Sequence, residues 1–137
     1  MQKFLSMTTE ENIDYWRKLS NDDLTVAEDL LALNHFLYVA FMCHQSIEKI
    51  MKAYYVKLNN DAPPYTHELL LLSSKGGFYE NFSEEQKNFL HQLSPLNIRT
   101  RYPEYKDKIY KQLTQSVCNQ IFEQTKQLHK WISGKLS

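Results

Sequence analysis

The 137-residue chain is long enough for one hydrophobic core and too short for two comfortable ones. Its 42% hydrophobic and 13% aromatic content excludes a globally disordered chain, while three glycines and four prolines disfavour a turn-rich β-sandwich or barrel. Sixteen bases balance sixteen acids, so net charge alone indicates no polyanionic partner.

Thr8-x-x-Glu11 has the form of a capping box and predicts the start of a first helix. Ile13, Trp16, Ser20, Leu24, Ala27 and Leu31 recur at the period of one helix face and carry that helix to about Leu33. Ser20-Asn21-Asp22 is expected to weaken it locally, because such side chains compete for backbone hydrogen bonds. A second helix is predicted from Phe36 to Leu58, with Ala40, His44, Ile47, Met51, Tyr54 and Leu58 as its buried stripe. A helix of that length spans ~35 Å and needs partners along its whole height, which implies a bundle.

Asn59-Asn60-Asp61-Ala62-Pro63-Pro64 ends the second helix. A short helix follows from His67 to about Ser74, with Thr66 as its cap and Gly76-Gly77 as its stop. Ser83-x-x-Gln86, another capping box, opens a helix through Leu93, and Pro95 marks the next break. The last helix is predicted to begin at Pro103 or just after it, as one long helix with Ile109, Leu113, Val117, Ile121, Thr125, Leu128 and Ile132 as its buried stripe. The expected fold is therefore all-α: a single-domain, up-and-down helical bundle of three long and two short helices, with its core over about residues 9–133.

Charge is unevenly spread. Residues 1–40 carry three bases against seven acids, and residues 99–137 carry eight bases against three acids. Such polarity can steer an anionic ligand or align two subunits, although opposite ends of one domain can also simply complement each other. Cys43 and Cys118 fit neither a disulfide framework nor a metal spacing, so a reducing cytosol is expected. The N-terminal MQKFLSMTTEEN lacks the apolar run of a signal peptide, and no apolar stretch approaches the ~18 residues of a membrane span. His35, His91 and His129 have no matching carboxylate or cysteine set, so they are read as surface or packing residues and no metal or other cofactor is expected.

The stretch HQSIEKIMKA, His44 to Ala53, combines apolar residues at helical spacing with a polar edge. With His44 at 0°, the apolar stripe centres near −35°, Glu48 falls at ~40°, Lys52 at ~80°, Gln45 at ~100° and Lys49 at ~140°. His44, Glu48 and Lys52 thus descend one flank of the buried face, and Gln45 and Lys49 lie further out. Glu48 and Lys52 form an i,i+4 ion pair in its better orientation. One reading of this edge is structural; the other is a ligand site.

HQSIEKIMKA is similar to the HQ-x-x-EK-x-x-KA core of HEPN domains, small helical domains named for nucleotide binding in higher eukaryotes and prokaryotes. The upstream DDLTVAEDLL, the Tyr65-Thr66-His67-Glu68-Leu69 step and the Ile98-Arg99-Thr100-Arg101-Tyr102-Pro103 element resemble the family's other segments, in the same order. The resemblance spans about residues 13–133. It implies a helical bundle that commonly dimerises. Some members are metal-independent RNases, often toxins paired with a small nucleotidyltransferase-like antitoxin. Those enzymes use an R-x(4–6)-H motif near the start of the last long helix. This chain departs from that pattern: the positions counted from Arg99 and Arg101 fall on Glu104, Tyr105, Lys106, Asp107 and Lys108.

What remains is the constellation Gln45, Lys49, Lys52, His67, Arg99 and Arg101, whose cations suit phosphate oxygens. His44, Glu48 and Tyr102 are read as structural polar residues, with an ion pair between Glu48 and Arg101 as the bland alternative for that arginine. Gly76-Gly77 lacks the strand, lysine and Ser/Thr of a P-loop. The leading expectation is a homodimeric binding module for a nucleotide, RNA or a nucleotidyltransferase-like partner. The competitors are an atypical RNase or toxin using Arg101 with His67, and a purely structural dimerisation module.

Overall fold

The computed structural model describes residues 6–98 and 103–137. Among them are six α-helices and no strand: α1 (Thr9–Ala32), α2 (Phe36–Asn59), α3 (Leu69–Lys75), α4 (Glu84–Leu93), α5 (Pro103–Gln112) and α6 (Gln115–Lys135). Short 3₁₀ turns lie at Tyr79–Asn81 and Ser94–Leu96. No helix among the described residues is long and apolar enough to cross a membrane.

Both capping boxes form. Thr8 accepts from the Glu11 amide and Glu11 accepts from the Thr8 amide, so α1 starts where the sequence predicts. Ser83 and Gln86 do the same for α4. The predicted weak point at Ser20 is absent. The Ser20 hydroxyl donates to the Ser46 carbonyl at 2.7 Å, and the Ser46 hydroxyl donates back to the Ser20 carbonyl at 3.0 Å. With both hydroxyls spent between helices, neither competes for its own helix's backbone, and α1 runs unbroken. Small side chains at both positions also let the two backbones approach.

That contact, with Lys52 on the Trp16 ring and Thr9 on Asn60, sets α1 antiparallel to α2. Contacts from Cys118 to the Phe36 carbonyl and between Cys43 and Thr125 set α6 parallel to α2. One hollow is lined by Gln86 and Phe89 of α4 with Gln127 and Trp131 of α6, and a second by Gln92 with Val117 and Ile121, so α4 runs antiparallel to α6. The chain is thus an up-and-down bundle of α1, α2, α4 and α6, with α3 and α5 as connectors.

Helix α2 ends earlier than its prolines require. Asn60 takes the left-handed conformation, φ 48°, and closes the helix by donating its amide to Val56. Leu58, which its spacing assigns to the buried stripe, is instead half exposed in this last turn. The third helix begins two residues later than predicted, at Leu69, and Thr66 only steadies the turn by accepting from the Glu68 amide. His67 therefore belongs to the loop ahead of α3.

The largest departure is in the C-terminal region. The predicted single helix is broken at Leu113–Thr114, where Thr114 becomes the N-cap of α6 and accepts from the Val117 amide. The buried face jumps phase across this break. Leu113 is buried, then Cys118 rather than Val117, followed by Ile121, Thr125, Leu128 and Ile132. The described residues consequently hold three short helices beside the three long ones.

All helices share one core. Its axis is α2, which contacts α1, α3, α4, α5 and α6. Cys43, His44, Gln45, Ser46, Ile47 and Glu48 are consecutive and all buried, so α2 is covered on every side at its middle. Cys43 and Cys118 are fully buried free thiols. Burial pushes Cys43 up to about 12 and Cys118 up to about 11. Nucleophilic thiolate is therefore scarce at pH 8 as well as sterically hidden. Ellman's reagent is expected to titrate neither thiol rapidly in the native protein and both in guanidinium; fast native release would contradict this packing.

Candidate functional site

The polar edge of α2 is an internal cluster centred on Glu48. The Glu48 carboxylate is 3% exposed. It accepts from the Lys52 ammonium at 3.1 Å, one helical turn along. The His67 Nδ1 reaches the same carboxylate from the loop before α3, at 3.0 Å and 3.2 Å from its two oxygens. A carboxylate oxygen only accepts, so in the tautomer that makes this bond Nδ1 is the donor. His44 Nδ1 lies 3.9 Å from the carboxylate on its other side, and Gln45 Nε2 lies 3.3 Å from the same His44 nitrogen.

A third element covers the lysine. Lys52 Nζ sits 5.1 Å from the centre of the Trp16 ring on α1. The ammonium is thus held between a carboxylate and an aromatic face, a combination that suits a cation withdrawn from water. Spacing assigns the indole to the apolar stripe of α1, and its second role depends on the antiparallel register of α1 and α2.

The structure places the predicted site residues as follows. Lys52 and His67 meet on Glu48. Gln45 joins through His44, and it is only 2% exposed, not set further out as the helical angles suggest, because α2 is enclosed rather than amphipathic. Lys49 is engaged elsewhere, in an ion pair at 2.5 Å with Asp23 of α1. Arg99, Arg101 and Tyr102 lie outside the described residues, and the Glu48–Arg101 pairing with them. The link that spacing does not anticipate is Glu48 to His67, across 19 residues of chain.

The remaining histidines play other parts. His35 is exposed, and His91 is a surface partner of the Tyr79 hydroxyl at 3.1 Å. His129 is buried in α6, and burial holds its pKa below the usual histidine value. Among the described residues, no group of three or more His, Cys, Asp or Glu side chains is arranged to hold a metal ion.

Chemically, Glu48 and Lys52 cancel. The buried pair fixes the geometry of this edge, and the half-buried imidazole is its outward part, 31% exposed.

Comparison with curated proteins finds no matching sequence. Among solved structures, TT1696 from Thermus thermophilus superposes with a TM-score of 0.76 at 18% identity, covering 91% of this chain and 98% of that one. A likeness at that identity concerns the fold. The model of the HEPN domain matches residues 13–135, nearly the whole chain, so this helical bundle built around α2 belongs to the HEPN domain family.

Proposed function

We propose that the chain is a HEPN-type binding module, a cytosolic homodimer that engages a nucleotide, an RNA or a nucleotidyltransferase-like partner. The observation that carries this reading is the joining of Lys52 and His67 on one buried carboxylate. Arg99 and Arg101, the two arginines of the IRTRYP element, supply the positive charge that the neutral Glu48–Lys52 pair lacks. The missing R-x(4–6)-H histidine favours binding over catalysis.

Calorimetric titration of the full chain with AMP, ATP, GTP and short RNAs is the direct test. Saturable heats are expected with at least one ligand. Arg101→Ala should weaken that ligand about tenfold or more, the scale of a lost charge-assisted contact. Flat heats throughout remove the ligand part of the proposal.

One observation favours a second reading, an atypical metal-independent RNase using Arg101 and His67. His67 Nδ1 lies 3.0 Å from the Glu48 carboxylate, which leaves Nε2 as the nitrogen that would exchange a proton with a 2′-hydroxyl. Expression in a bacterial host with total RNA examined on gels separates the two. The RNase reading expects RNA cleavage that disappears in both Arg101→Ala and His67→Ala; intact RNA with the unsubstituted protein sinks it.

A further inference from the structure

We infer that His129 is an acid-sensitive latch on α6: neutral, it lets that helix sit in the core, and protonated, it loosens the seat and uncovers the thiols of Cys43 and Cys118. The inference goes beyond the ligand-binding reading and does not depend on what the Glu48 cluster engages.

His129 lies on the buried face of α6 among Thr125, Leu128 and Ile132, and is itself 8% exposed. Among the described residues, its Nε2 has no hydrogen-bond partner. The Thr125 hydroxyl, one turn earlier, is spent on the Ile121 carbonyl. Protonation makes both ring nitrogens donors and adds a charge. The buried face then holds an N–H without an acceptor and a cation withdrawn from water, and both oppose packing. Burial accordingly holds the His129 pKa below the ordinary histidine value, and no charged neighbour counters it.

The helices packed on α6 are α1, α2 and α4. Cys118 on Phe36 and Thr125 on Cys43 share one offset of 82 residues, so His129 stands level with Ile47 of α2. Through the Ser20–Ser46 contact that level meets Leu19 of α1. Near it on α2, Glu48 is taken by Lys52 and His67, with His44 on its other side, and Lys49 is taken by Asp23. Cys43, pushed up to about 12, is a neutral thiol. On α1, Arg17 pairs with Asp14, while Lys18 and Asp22 are exposed. On α4, Lys87 pairs with Glu80 and Glu84, and Glu85 is exposed. On α6 itself, Glu123 pairs with Lys126, and Lys130 is exposed. None of these carboxylates accepts from His129.

The sign of the effect follows from proton uptake. An unfolded histidine binds its proton near about pH 6.5, and the folded ring binds only at lower pH. The open chain therefore takes up more protons on acidification, and stability falls as the pH drops through about 6.5. Cys118 belongs to α6 and Cys43 contacts it, so loosening this helix exposes both sulfurs.

Thiol exposure against pH in the full chain is the test. 4,4′-Dithiodipyridine labels thiols at acid as well as neutral pH, and its rate on the urea-unfolded chain at each pH corrects for thiol chemistry. Between pH 7.5 and pH 5.0 the corrected labelling is expected to rise about tenfold or more, and by less than about threefold in His129→Gln and His129→Leu. Any cost that either substitution carries at neutral pH drops out of this ratio. NMR titration of the unsubstituted protein needs no variant, and the His129 ring should titrate below a histidine in a peptide. A ring that titrates at or above the ordinary value overturns the latch. So does a rise below about threefold in the unsubstituted protein, or an equal rise in either folded variant.

Discussion

Glu48→Leu is expected to lower the free energy of unfolding by about 3–5 kcal/mol, the scale of breaking a buried ion pair from one side. The reason is what it leaves behind. Lys52, with its side chain 8% exposed, keeps its ammonium beneath Trp16 and loses its only opposing charge within the described cluster. Removing both charges is different. The double change Glu48→Leu with Lys52→Met fills similar volume with apolar atoms, and its stability should return to within about 1 kcal/mol of the starting protein. Urea unfolding of the two single variants and the double variant measures the cycle. A double variant as unstable as Glu48→Leu would mean that the pair stabilises the bundle on balance. A double variant that is stable but has lost ligand binding would show that the cluster is kept for recognition, and would remove the purely structural reading of this edge.

Phe78→Ala is expected to cost about 3–5 kcal/mol, with a diagnostic coupling to Gly76. Phe78 is fully buried between Tyr54, at 4.7 Å between ring centres, and Phe82, at 6.0 Å. Phe82 in turn packs on Trp131 of α6 at 5.5 Å, so this ring column joins the α3–α4 connection to two long helices. Gly76 is required by the same ring. A Cβ placed there would stand 2.3 Å from Phe78 Cε1, and that ring has nowhere to move. Gly76→Ala alone should therefore cost about 1–3 kcal/mol by overpacking. In a Phe78→Ala background the new methyl enters the vacated space, and only its approach to Tyr55 at 2.9 Å persists. The added cost of Gly76→Ala should then fall below about 1 kcal/mol, a coupling of the size seen between side chains in contact. Equal costs in the two backgrounds would contradict this packing. Gly77 differs in kind: its φ of 77° demands glycine through backbone geometry, with no crowding at its Cβ position.

Much of this architecture is legible in the sequence because it is written locally. Thr8 and Glu11, or Ser83 and Gln86, state a helix start within four residues. The break at Thr114 is less visible for an equally local reason. Val117 stands where a capping box would place an acid or amide, and neither glycine nor proline interrupts the run. Leu113 and Val117 keep the apolar spacing in step, and only the burial of Cys118 shows that the face has turned. The site is harder to read than the fold. The Glu48–Lys52 pair follows from helical spacing, whereas His67 depends on where a proline-bearing loop lands. The outward placement of Gln45 assumes that α2 has a wet side, but a helix encircled by five others has none at its centre.

The interruption at Leu113–Thr114 also divides the C-terminal region mechanically. Helix α6 has its own N-cap and sinks Cys118, Ile121, Phe122, Thr125, Leu128, His129 and Ile132 into the protein, whereas α5 sinks Ile109 alone. Peeling α5 away would uncover Ile109 and the part-buried Tyr105 but break no turn of its neighbour, so α5 is expected to open at lower cost than α6. Had the two been one rod, loosening the first ten residues would have strained the remaining twenty-one.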